Sequence, residues 1–70
     1  MNAQRKLGGE LQVGDTIAVW WADHRDTIRG LRPYDGNLAY LFPDGAQIAQ
    51  FALCKSGMTI DNSDYYEVIQ

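Results

Sequence analysis

From Leu11 onward, apolar runs of five to eight residues alternate with turn chemistry, and no window of about eleven residues sustains the i, i+3, i+4, i+7 spacing of an amphipathic helix. The pattern predicts a β protein. Val13-Gly14-Asp15 is a turn that launches a strand over Thr16–Trp21. On its two-residue period Ile17, Val19 and Trp21 share the core face, which leaves Trp20 outside. A second strand is predicted over Thr27–Tyr34. Ile28 and Leu31 differ in parity within it, so both reach one face only if the strand bulges, and the intervening Gly30 marks the place. Asp35-Gly36 is a hairpin signal, and Leu38–Phe42 follows as a third strand with Leu38, Tyr40 and Phe42 on one face. Pro43-Asp44-Gly45 is a tight turn with Gly45 at positive φ, leading into a fourth strand over Ala46–Leu53. Met58–Ile60 is a short extended piece, Asp61-Asn62-Ser63-Asp64 a tight or 3-10 turn, and Tyr65–Ile69 the closing strand.

Met1–Glu10 is polar and holds the Gly8-Gly9 pair, so it is expected as a flexible lead-in, with residues 11–70 forming one small domain. Four to five short antiparallel strands in some sixty residues point to a small barrel that removes its own open edges. Leu11-x-x-Gly14-Asp15-x-Ile17-x-Val19 resembles the first-strand entry of SH3-like barrels, and Asn62–Ile69 is similar to their short 3-10 turn and terminal strand. The expected fold is therefore an all-β, SH3-like small barrel, with an open antiparallel sheet as the alternative. The aromatic first-strand motif of proline-binding SH3 domains is missing, so their ligand residues do not carry over. The longer texture VGDTIAVWW…DTIRGLRPYDG…LFPDGAQIAQFAL…GMTIDN resembles short proteins of tailed phages and prophages that carry no transferable activity.

Charge narrows the partners. The 70 residues carry a net −3, and the pI is near 4.7. Residues 1–32 hold Arg5, Lys6, Arg25, Arg29 and Arg32 against four acids, whereas residues 33–70 hold Lys55 alone against five. That balance argues against a general nucleic-acid binder. The basic residues near the start precede no apolar run, and no stretch approaches the ~18 apolar residues of a membrane span. With one thiol, Cys54, no internal disulfide or cysteine-based zinc site forms, and the cytoplasm (the host's, for a phage protein) is the expected compartment.

Asp23-His24-Arg25-Asp26 is the only cluster with acid–base vocabulary, and one His among carboxylates on a loop supplies neither a metal's convergent ligands nor a nucleophile. A solvated loop is the expected reading, with no catalytic residue, metal or cofactor. Trp20 and Trp21 are neighbours and cannot face the same core. An outward Trp20 flanked by Arg29, Arg32 and Tyr34 from the next strand would make a binding patch; equally, Trp20 would cover an open barrel end or a dimer contact. The expected function is a non-catalytic module binding a protein partner or itself, as a phage or prophage accessory protein. Nucleic-acid binding by the same aromatic and Arg residues is the alternative, and an enzyme completed by oligomerisation is a third.

Overall fold

The computed structural model describes residues 3–69. Six strands follow in order: β1 (Ala3–Leu7), β2 (Thr16–Ala18), β3 (Arg25–Pro33), β4 (Ala46–Phe51), β5 (Met58–Asp61) and β6 (Tyr65–Ile69). They form one sheet in the order β1-β6-β2-β3-β4-β5, and every pairing is antiparallel. Among the described residues no helix is long and apolar enough to cross a membrane.

Strand β3 belongs to both halves of this sheet. Its first part pairs with β2 and its second part with β4, and the register shifts between Ile28 and Gly30. That bulge resolves the parity conflict: Ile28 is opposite Phe51, Leu31 is opposite Ala49, and both turn toward the core. It also bends the strand. The consequence is visible in the packing, because Ile17 of β2, Ile28 of β3, Phe51 of β4, Ile60 of β5 and Val68 of β6 all share one buried cluster. Strands far apart in the sheet order meet only because the sheet curls.

Among the described residues the two edge strands do not pair with each other, so the sheet is not a closed barrel. A 3-10 turn at Gly8–Glu10 lies against the gap instead. Gly8 N–H donates to the Asp64 carbonyl at 2.8 Å and Gly9 N–H to the Asn62 carbonyl at 3.2 Å, while Gln47 Nε2 donates to the Gly8 carbonyl at 3.1 Å. Only glycine fits this approach, since a Cβ on Gly8 would collide with the Asp61 carbonyl and the Ile60 methyl. Gly8→Ala should therefore lower stability by about 2 kcal/mol, within the range for overpacking. An unchanged urea midpoint would show that this turn does not seal the fold.

Four expectations need correction. The lead-in is, in its described part, a strand: Ala3–Leu7 pairs residue by residue with Ile69–Tyr65. With Met58–Asp61 also a full strand, the described residues hold six strands rather than four or five; residues 1 and 2 lie outside the described range. Leu38–Phe42 is no strand. The ladder between β3 and β4 closes with Tyr34 N–H on the Ala46 carbonyl, which leaves the intervening chain without a partner strand. Ala39–Leu41 takes a 3-10 turn there, and Leu38 and Tyr40 face solvent. Pro43-Asp44-Gly45 does turn the chain, with Gly45 at φ 87° and its N–H on the Phe42 carbonyl, but it leads from that 3-10 turn into β4. Asp35-Gly36 likewise makes no two-residue hairpin. Finally, β2 ends at Ala18 rather than Trp21. The Asp61–Asp64 turn is as expected: the Asp61 carboxylate accepts from both the backbone N–H (2.9 Å) and the hydroxyl (2.8 Å) of Ser63.

Candidate functional site

The register decides where the four predicted binding residues lie. Ala18 pairs with Arg25 at the start of β3, and Trp20 follows Ala18, so Trp20 stands at that end. Arg29 is the unpaired residue of the bulge. Arg32 pairs with Ile48 near the far end of β3, and Tyr34 lies beyond the strand. Tyr34 is half-buried and braces the 3-10 loop: its hydroxyl accepts from Leu38 N–H at 3.3 Å, and its ring meets Phe42 edge-on at 6.0 Å. Trp20 is thus not brought together with Arg32 and Tyr34. The antiparallel register forbids the expected side-by-side patch: with Thr16 opposite Thr27 and Ala18 opposite Arg25, each step along β2 toward Trp20 leads away from Arg29, Arg32 and Tyr34.

A different set surrounds Trp20. Its ring is 76% exposed and packs edge-to-face on Trp21 at 4.8 Å. Trp21 in turn meets Phe51 edge-to-face at 5.3 Å and leans on the core cluster. Its indole N–H donates to Asp26 Oδ2 at 2.7 Å. Asp26 is the surprise. Placed opposite Ile17, it is only 2% exposed. Its carboxylate also accepts from the backbone N–H of Thr27 (2.8 Å), Cys54 (2.9 Å) and Leu53 (3.1 and 3.2 Å to the two oxygens). Burial pushes this carboxyl up, but the Trp21 indole and the Cys54, Leu53 and Thr27 amides together outweigh it and hold the group below its ordinary value. The group is an anion clasped by donors, which fixes the segment after β4 against the Trp21 ring. It is unsuited to accept a substrate proton, being both inaccessible and weakly basic.

Between the tryptophans and β3 the backbone turns through Ala22, Asp23 and His24, at φ 50°, 59° and 71°. Three successive non-glycine residues in the left-handed region are costly for L-amino acids and persist only where surroundings enforce them. Here the enforcement is visible: His24 N–H donates to the Trp21 carbonyl at 2.8 Å, and Val19 N–H donates to the His24 carbonyl at 3.2 Å. His24 and Asp23 themselves are exposed, and among the described residues no group of His, Cys, Asp and Glu is arranged to hold a metal.

Beside this corner lies a shallow cleft of about 420 Å³, lined by Thr16, Arg25, Asp26, Thr27, Ala52, Leu53 and Ile69. The Thr16 and Thr27 hydroxyls bond to each other at 2.6 Å, and Leu53 is 64% exposed. Cys54 is half-buried and packs against the core. Sequence reasoning placed Asp26 in a solvated loop and did not single out Leu53. A signal for Asp26 existed, since it shares strand parity with the core residue Ile28; none marked Leu53. Comparison with protein-family models, with curated proteins and with solved structures yields no match.

Proposed function

We propose that this chain is a non-catalytic protein-binding module whose fold is a variant of the SH3-like small barrel, acting as a phage or prophage accessory protein. The curl of the sheet about one core and the tight turn before the last strand support the fold reading. The observation that carries the functional reading is the held exposure of Trp20. Trp20, 76% exposed, presents a large amphipathic side chain of the kind that anchors interfaces. It is also restrained on one side, because it packs on Trp21, which the buried Asp26 carboxylate holds by its indole N–H. A pre-ordered tryptophan loses little conformational entropy on docking, which is why such residues dominate protein interfaces.

The test is capture from nuclease-treated cell extract on immobilised wild-type and Trp20→Ala chains. A protein retained by the wild type and held roughly thirtyfold more weakly by the variant, as for a hot-spot residue, is expected, with both chains giving the same circular dichroism. Retention unaffected by the substitution, or retention of nucleic acid alone from untreated extract, would overturn the reading.

A further inference from the structure

We propose that the cleft lined by Thr16, Arg25, Thr27 and Leu53 receives an acidic peptide segment, with a carboxylate on Arg25 and a neighbouring apolar side chain against Leu53 and Ile69. The inference rests on the protein-binding reading and names the chemistry of the partner. Although the chain is net acidic, the accessible charge of this cleft is cationic. Arg25 is exposed and lines it, and among the described residues no acid pairs with its guanidinium. Asp26 lines the same cleft but is 2% exposed, and its oxygens are taken by the indole of Trp21 and the amides of Thr27, Leu53 and Cys54. An incoming carboxylate therefore contacts the Arg25 guanidinium, while the Asp26 charge beneath is offset by the Trp21 indole and the three amides that donate to it.

The hydroxyl pair supplies a second contact. Thr16 and Thr27 are bonded at 2.6 Å, so one hydroxyl hydrogen is spent between them and the other remains to be donated outward. That matches an acceptor such as a carboxylate or a peptide carbonyl. The remaining wall is apolar: Ala52, Leu53 and Ile69. Leu53 is 64% exposed, yet its backbone is pinned by the Asp26 carboxylate, so its side chain is presented from a fixed base. A volume of about 420 Å³ lies at the small end of ligand sites, enough for a few side-chain groups. An acidic residue beside an apolar one satisfies every part of this lining. A phosphodiester would satisfy the arginine and leave the apolar wall uncovered.

The probe is the blocked peptide acetyl-Val-Leu-Asp-Leu-Val-amide, titrated at low salt into the ¹⁵N-labelled chain, beside versions with Asn or Lys in place of Asp. The expected result is movement of the Thr16, Arg25, Thr27 and Leu53 amides, at concentrations up to about 1 mM. The Asp peptide should bind at least about tenfold more tightly than the Asn peptide, and Arg25→Gln should abolish that difference while leaving the spectrum otherwise folded. Equal binding of the Asp and Asn peptides, absence of shifts, or tighter binding of a single-stranded oligonucleotide at the same amides would overturn the inference. The two readings separate cleanly. If the protein captured through Trp20 is held equally well by Arg25→Gln, and no peptide moves the cleft, this inference fails and the binding module stands. If Trp20→Ala captures as well as wild type, the module reading itself fails.

Discussion

Asp26→Ala should leave the chain without a cooperative unfolding transition at neutral pH. The substitution removes the acceptor from the Trp21 indole and from the amides of Thr27, Leu53 and Cys54, at a position 2% exposed. Each buried donor left without an acceptor costs about 1–3 kcal/mol, and a domain of this size holds a margin of only about 3–5 kcal/mol. Even if water satisfies half of these groups, the loss consumes the margin. Asp26→Asn keeps one acceptor oxygen but turns an NH₂ toward N–H donors, so a lowered yet measurable urea midpoint is expected. An Asp26→Ala midpoint within about 0.5 kcal/mol of wild type, the range of ordinary surface substitutions, would contradict the clasp.

The same group sets an acid limit. The folded-state pKa of Asp26 lies below its unfolded value, so the unfolded chain binds the extra proton first as pH falls. The stabilisation is fully present above the unfolded value, about 3.9, and is lost as pH falls through the lower folded one. Wild type should therefore lose stability below about pH 4 more steeply than Asp26→Asn, in which this proton cannot be taken up.

The second large effect separates two adjacent, identical side chains. Trp21→Ala should cost about 3 kcal/mol or more, at the lower end of the range for large aromatic truncations because the ring is half-buried. It removes packing on Phe51 and the core, and leaves the Asp26 carboxylate one donor short. Trp20→Ala removes a ring that is 76% exposed and should shift the midpoint by no more than about 0.5 kcal/mol. Hydrogen exchange reads the same asymmetry in the wild type: the Trp21 indole proton, bonded to Asp26, should exchange far more slowly than that of Trp20. The reverse order would mean that the segment after β2 faces the other way.

What the sequence made legible was what local chemistry determines. The alternation of Ile17 and Val19 picked out the core face, Gly30 marked the bulge, and the Asp61–Asp64 acceptors marked the last turn. Trp20 was placed outside and Trp21 inside by the same alternation, although β2 ends before either. Strand β1 was not legible, because Gln4, Arg5 and Lys6 have no apolar period and their order comes from pairing with β6 at the other end of the chain. Leu38–Phe42 shows the converse error: it has the period of a strand, but the β3–β4 ladder closes at Tyr34 and leaves it nothing to pair with. The Asp26 clasp was hidden for the first reason. Its backbone donors Leu53 and Cys54 lie 27 and 28 residues away, and no short motif announces such a contact.

On the reading proposed above, the corner built on Trp20 and Trp21 and held by Asp26 is the contact surface. The most direct measurement is the ¹H–¹⁵N map of the labelled chain with and without the protein it captures. The Trp20 indole signal and the amides from Arg25 to Thr27 and Leu53 to Cys54 should move together. Shifts confined to the exposed Leu38–Leu41 loop, or to Arg29 and Arg32, with the Trp20 indole unmoved, would contradict it.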